Sequence, residues 1–435
     1  MATKNYYFDS CLRLSSKRWM PFSLVNLALL TACGTPLPHE RPALDVPAAY
    51  KQGVQGSAVW QTAQPQDSVP SAWWTLFADP ALNALQERAA SGNQNVALAV
   101  ARLRAARAAL DSAGAAGLPS LGATASSTRS RSGTNAESSA QARTRNSQAL
   151  GLNASWELDL WGRLSGGVDA ARASVEASAD DLAAMRLSVQ ATVAQTYFAL
   201  RAAEAQTLLL DDTLAAYERS WQLTRNRQRA GVASAADVAQ AEAQYKSTQV
   251  QRLEAQTSRA QLEHALAALT GQAPAALSLP VTAALPAPPA VPAQLPSRLL
   301  ERRPDIAAAE RRVAAANAQI GVAQAAFFPA VTLSGAAGYR GTELSSLLNA
   351  PNLFWSLGPA LAVSLLDGGA RSAAVESARA THDQAVASYR QTVLTALQEV
   401  EDNLAAATVL EREQQLQTEA VAAAQRALDV VSNQY

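Results

Sequence analysis

The chain states one plan twice. Residues 162–173, GRLSGGVDAARA, and residues 369–380, GARSAAVESARA, share Gly162/Gly369, Ser165/Ser372, Val168/Val375, Asp169/Glu376 and the closing Ala171-Arg172-Ala173 and Ala378-Arg379-Ala380. A long-range internal repeat constrains the fold more than any single motif, because both halves must then build the same supersecondary unit. The surrounding pattern defines that unit as a helix, two strands and a long helical hairpin.

In the first half a helical pattern starts at Asp79-Pro80 and runs to about residue 116. The segment ALGLNASWELDLW then alternates. Leu150, Leu152, Ala154, Trp156, Leu158 and Leu160 fall on one face; Gly151, Asn153, Ser155, Glu157 and Asp159 fall on the other. A period of two predicts a strand. Residues 123–148 are polar, almost without large apolar groups, and read as a solvent-facing loop between two strands. After Gly162 a helix is expected to about residue 229. Its start carries a heptad seam of Val168, Val175, Leu182 and Val189, with Ala171, Ser178 and Met185 between them. At about 1.5 Å per residue it reaches roughly 100 Å. The sequence GVAS breaks it, and a second helix is expected over residues 235–269, making a hairpin.

A Pro/Ala linker fills residues 271–297. The plan then repeats. RRPDIAAAERRVAAANAQIGVAQAAFFP is helical; AVTLSGAAGYRG and FWSLGPALAVSLLDG alternate, bulky residues against small ones; Gly369 opens a long helix. The fold class expected is therefore an α+β membrane protein, with long helical hairpins and four strands per chain in an internal tandem repeat. The domains are 73–270 and 298–435, joined by 271–297.

Four two-faced strands cannot close on themselves, and an open edge in lipid leaves unpaired N–H and C=O groups costing several kcal/mol each. Spanning barrels start at about eight strands. The chain must borrow strands from its own copies, and three copies give twelve, wide enough for a water-filled lumen. A homotrimer is the expected state.

The N-terminus reads as an export signal over residues 1–32: Lys17 and Arg18, then MPFSLVNLALL, too short for a permanent span, ending in LTAC. The tetrapeptide Leu30–Cys33 resembles a lipobox, so Cys33 is the expected lipid anchor, acyl chains adding about 0.8 kcal/mol per buried CH₂. Residues 33–72 form an extended leader. Both cysteines, Cys11 and Cys33, lie near this end, so neither a disulfide framework nor a Cys-based zinc site is expected in the body. His39, His264 and His382 are scattered singly, which argues against a metal centre. Zero formal charge gives no electrostatic case for nucleic acid. Nucleotide-binding, zinc-protease and serine-hydrolase signatures are absent. Glu157 and Asp159 are the only tempting carboxylate pair, without an accompanying nucleophile or base; neither a catalytic group nor a cofactor, beyond the lipid, is expected.

At the hairpin turn, Gly231 supplies a position free of Cβ, and Ser234 with Asp237 has the S-x-x-[DE] form of a capping box. Asn153, Glu157 and Asp159 are expected to face a lumen.

The pieces SWELDLWGRL, AGVASAADVAQAEAQ, LPSRLLERRPDIAAAERRVAAANAQIGVAQAAFFPAVTLSG and LLDGGA, with the LTAC motif, resemble the TolC-type outer-membrane efflux channel family, in its NodT-like lipoprotein branch. The resemblance implies a trimer with a twelve-stranded outer-membrane barrel and a helical periplasmic tunnel. It also implies a periplasmic adaptor and an inner-membrane pump of the resistance-nodulation-division type as partners, with no bond chemistry. It gives Gly231, Ser234 and Asp237 a tunnel-tip role facing the adaptor, Asp237 also joining a network that closes the tunnel. The second repeat stops at Tyr435 before a matching tip, so it is expected to lack its returning helix, roughly forty residues by comparison with the first. A lipid-anchored periplasmic coiled-coil scaffold without a pore, or a non-conducting truncated channel, is the alternative reading.

Overall fold

The computed structural model describes residues 72–131, 144–282 and 302–433, with short stretches at 42–43, 60–62, 285–286, 288–289 and 291–293. The export signal and Cys33 lie outside the described residues. In chain order the elements are β1 (Trp60–Thr62), α1 (Pro80–Gly92), α2 (Gln94–Ala115), β2 (Ser120–Arg131), β3 (Thr144–Leu158), α3 (Arg163–Arg229), α4 (Ala235–Leu269), β4 (Val291–Ala293), α5 (Pro304–Ala325), β5 (Ala330–Gly341), β6 (Leu353–Ala362) and α6 (Ala370–Asn433). The described residues fall into two units. One, Gly117–Gly166 with Gly321–Arg371, holds the large sheet; the other, His39–Ala116, Gly167–Ile320 and Ser372–Tyr435, holds the helices.

In the sheet unit the order is β2-β3-β5-β6, antiparallel throughout. Each repeat supplies one hairpin, and the β3–β5 ladder joins them from Leu158↔Val331 to Gln148↔Gly341. The strands β2 and β6 are the two edges. Residues 123–131 and 144–148, expected in a loop, are strand. Their serines, threonines and arginines carry no apolar alternation, so period-two reasoning had nothing to detect there.

In the helical unit the expected single helix over residues 79–116 is two. Asn93 separates them, with extended backbone; its Oδ1 accepts from Asn95 and Val96 N–H while its Nδ2 donates to the Leu269 carbonyl. A side chain that caps one helix and ties down the end of another favours the break. Asp79 caps α1 in the same way and accepts from the Tyr197 hydroxyl at 2.5 Å. Burial, opposed by the neighbouring Arg201, pushes the Tyr197 hydroxyl up to about 12, so it remains a donor. The larger core joins Leu82, Leu85, Val96, Val193, Tyr197 and Leu266. A smaller one pairs Ile306, Ala309 and Val313 with Tyr389, Val393 and Ala396. With Gly162 aligned on Gly369, buried Leu182 and Val189 match buried Tyr389 and Ala396, so the duplication extends into the packing.

The heptad seam holds in part. Leu182 and Val189 are buried, but ahead of them the buried positions are Ala170, Ala173 and Ala177, with Val168 and Val175 only half-buried. Small side chains let backbones approach closely, and the tight face follows the alanines. The extended leader and the Pro/Ala linker, for which no strand is expected, contribute β1 and β4, which pair in parallel with Trp60 opposite Val291. An ion-pair cluster around the buried Glu204 carboxylate fixes the chain after α4. Glu204 accepts from Arg201 at 2.7 Å and Arg259 at 3.1 Å, while the two arginines donate to the Pro280 and Leu279 carbonyls.

Candidate functional site

Two places carry the expected functional residues: the sheet and the α3–α4 turn.

The sheet register sorts side chains by face. In an antiparallel ladder, directly opposed residues share a face. One face collects Leu121, Leu150, Leu152, Trp156, Leu158, Val331, Leu333, Tyr339, Leu353, Trp355, Leu357 and Leu361. The other collects Ser120, Gly122, Thr124, Asn153, Gly151, Thr332, Ser334, Gly338, Ser356 and Gly358, with Phe354 its one large apolar member among the described strands. The bulky face is bare: Trp355 is 77% exposed and Leu121 72%. From Leu150 to Leu158 it runs about 27 Å along the strand at about 3.4 Å per residue. A barrel tilt of about 40° brings that to about 21 Å, close to the apolar band of about 25 Å on membrane barrels. Beyond Leu150 both faces turn polar, with Arg129, Arg131, Asn146 and Gln148 on the formerly apolar side.

On the small-residue face Gly338 lies opposite Gly151, so close that a Cβ on Gly338 would sit 2.2 Å from the Leu150 carbonyl oxygen. The Phe354 ring reaches toward Gly151 and carries the Arg340 guanidinium 4.9 Å from its centre.

The three strand candidates part company. Asn153 lies on the small-residue face and donates to Thr124 Oγ1 at 3.2 Å. Glu157 shares that face, held by a two-point pair with Arg163 at 2.9 and 2.7 Å. Asp159, expected beside them, is not in the strand. It accepts from the N–H groups of Leu164 and Ser165 at 2.9 and 2.7 Å, at the start of α3. Gly162, left-handed at φ +75°, has no side chain to cap that helix, and Asp159 satisfies the free donors instead. Partial burial raises its carboxyl, but those donated N–H groups outweigh it and hold the group below the ordinary carboxylate range. Asp367 acts similarly in the second repeat, accepting from Gly369 and Arg371. The corner is braced by Trp161, which stacks on Phe328 at 4.9 Å and donates to the Pro329 carbonyl at 2.7 Å.

At the turn, Gly231 is left-handed at φ +81°. Its N–H donates to Gln228 and that of Val232 to Arg227, the paired bonds of a Schellman ending. Ser234 and Asp237 form the reciprocal capping box: Asp237 N–H donates to Ser234 Oγ at 3.2 Å and Ser234 N–H to the Asp237 carboxylate at 2.8 Å. The Ser234 backbone and hydroxyl hold the Asp237 carboxyl below its usual range. Behind the tip Trp221 stacks on Tyr245 at 5.6 Å, fastening α3 to α4.

Sequence reasoning missed Arg303 and Arg312. Arg303 joins Asp305 and Glu399, each at 2.7 Å, and Arg312 reaches Asp181 at 2.5 Å, so the ERRPDIAAAERR stretch ties α5 to α6 and α3. It also missed Phe354 and Arg340. No helix among the described residues is long and apolar enough to cross a membrane. No group of three or more His, Cys, Asp or Glu among them converges as a metal site.

Comparison with known proteins agrees with this geometry. The family model described as outer membrane efflux protein matches residues 85–272 and 295–435. The chain is 33% identical over 415 residues to the probable efflux pump outer membrane protein TtgC of Pseudomonas putida, covering 93% of this chain and 85% of that protein. It is 31% identical to the cation efflux system protein CusC of Escherichia coli, covering 90% and 83%. The open-state MtrE outer membrane channel of Neisseria gonorrhoeae superposes with a TM-score of 0.77 at 28% identity, covering 93% of this chain and 88% of that one. A matched family model over most of its length and relatives at this identity place the chain in the outer membrane efflux protein family.

Proposed function

We propose that three copies of this chain pool their sheets into a twelve-stranded barrel across the outer membrane. The barrel is the passive exit duct of a tripartite efflux system, filled by an inner-membrane resistance-nodulation-division pump through a periplasmic adaptor. The observation that carries the reading is the sheet register. Apart from Phe354, the bulky apolar side chains of the described strands are on one bare face, small and polar ones are on the other, and both edges are open. In water such a face and such edges invite association; in lipid the face is satisfied and only the edges must be closed. Three copies of a four-stranded sheet close them with twelve strands. The bulky face then meets lipid, and Asn153 and Glu157 line the lumen. The turn at Gly231, Ser234 and Asp237 is the tip that meets the adaptor. Acylation of Cys33, supported by the LTAC sequence, adds an anchor to the same membrane.

Purification from outer membranes in mild detergent tests this. A trimer that falls to monomer only on boiling is the expected result; a stable monomer in the membrane overturns it. Replacing Cys33 with Ala removes an acyl mass from the mature protein if the anchor is there, and leaves the mass pattern unchanged if it is not.

A further inference from the structure

The small-residue face of the described strands carries three charged side chains: Arg145, Glu157 and Arg340. Glu157 is neutralised by its two-point pair with Arg163. Neither Arg145 nor Arg340 has a carboxylate partner among the described residues. Arg340 is nonetheless positioned. Its guanidinium sits over the Phe354 ring, which stands opposite Gly338 in the ladder and whose tip would lie 3.7 Å from a Cβ on Gly151. One aromatic ring beside a glycine and one cation above the ring form a fixed cationic spot on a wall of small residues. Arg145 lies on the same face further toward the β2–β3 turn, opposite Ser130.

We propose that Arg340, positioned by Phe354, and Arg145 form a ring of fixed positive charge on the duct wall that favours anionic solutes over cationic ones. The inference rests on the barrel reading above, which turns this face toward the lumen. With three copies the ring holds six cations, and rings of arginine are a general way for a pore to prefer anions. The ligand class is any small anion or organic acid that passes as a hydrated solute. The one carboxylate on this face of the described strands, Glu157, is already paired with Arg163, so the wall attracts anions and repels cations over a distance set by salt: the Debye length is about 30 Å at 10 mM and about 10 Å at 100 mM.

The full chain reconstituted in planar lipid bilayers tests this by its reversal potential across a tenfold KCl gradient. Arg340→Gln is expected to lower the chloride-to-potassium permeability ratio at least about twofold, Arg340→Lys to keep it, and Arg340→Gln with Arg145→Gln to lower it further. Each conducting variant reports its own folding. Phe354→Leu, which keeps the charge but frees it, is expected to lower the ratio by less than Arg340→Gln. Conducting wild-type and Arg340→Gln channels with the same reversal potential overturn the ring alone. Bilayers that stay silent with the wild-type protein overturn the duct, and the ring with it.

Discussion

Gly338 is the position where one added methyl should do most harm to the sheet. A Cβ there would lie 2.2 Å from the Leu150 carbonyl oxygen and 2.6 Å from Gly151 Cα, where 3.0 Å is essentially never crossed. The obstacle is backbone, so no rotamer change relieves it; β3 and β5 must move apart. Giving up one or two ladder hydrogen bonds costs about 1 kcal/mol each, with about 1 kcal/mol more for disturbing the Phe354 contact. Replacing glycine with alanine returns about 0.5–1 kcal/mol through the unfolded chain. The net expectation for Gly338→Ala is a loss of about 2 kcal/mol. Gly358, on the same face of the edge strand β6, meets nothing within 4 Å, so Gly358→Ala should be neutral or slightly stabilising. Urea unfolding in detergent, followed by tryptophan fluorescence, compares the two. The reasoning fails if Gly338→Ala unfolds at the same or a higher urea concentration than Gly358→Ala.

Glu204→Gln should destabilise the helical unit by about 3–5 kcal/mol, because it leaves Arg201 and Arg259 without their buried anion. Arg172→Gln, at an exposed ion pair, should change stability by less than about 1 kcal/mol, and equal thermal shifts for the two would refute this. Asp367 is held below the ordinary carboxylate range by Arg371 first, then by the N–H groups of Gly369 and Arg371. Its ionised form therefore supports the second corner above the unfolded carboxylate value of about 3.9, and that support is lost as pH falls through the lower folded value. Asp367→Asn should flatten the loss of stability below about pH 4, and an unchanged acid-unfolding curve would count against the corner's role.

The sequence disclosed what periodicity and capping chemistry can encode. The hairpin boundaries at residues 229 and 235, the Ser234–Asp237 box and the strands β5 and β6 follow from patterns within a few residues. What stayed hidden depends on partners far along the chain. Asp159 looks like a strand residue because the alternation runs through it, yet the free N–H groups of α3 claim it. Arg340 reads as one more polar position; only the register with Phe354 on the next strand shows it as a placed charge. The Arg303 and Arg312 ion pairs likewise span long stretches of chain, to Glu399 and Asp181. In β2 a strand of serines, threonines and arginines has no apolar signal on either face outside its first residues.

The duplication also fixes what the open edges should do. If the repeats are equivalent, β3 corresponds to β6 and β5 to β2, and the β3–β5 seam within a chain repeats as a β6–β2 seam between neighbouring chains. Aligning Gly162 with Gly369 keeps bulky side chains on bulky side chains, whereas aligning Asp159 with Asp367 would exchange the faces. Pro119 and Pro329, each one residue ahead of its strand, align β2 with β5. Carried across, the observed pair Gly151↔Gly338 becomes Gly358 opposite Thr128 of the neighbour, and Asn153↔Ala336 becomes Ala360 opposite Ser126. A double variant, Ser126→Cys with Ala360→Cys, should therefore give covalent trimers under mild oxidation or with a short thiol crosslinker. Ser126→Cys with Leu361→Cys places the thiols on opposite faces and should not. Crosslinking by the second pair and not the first would refute the register, since a one-residue slip would turn Trp355 and Leu357 toward the lumen.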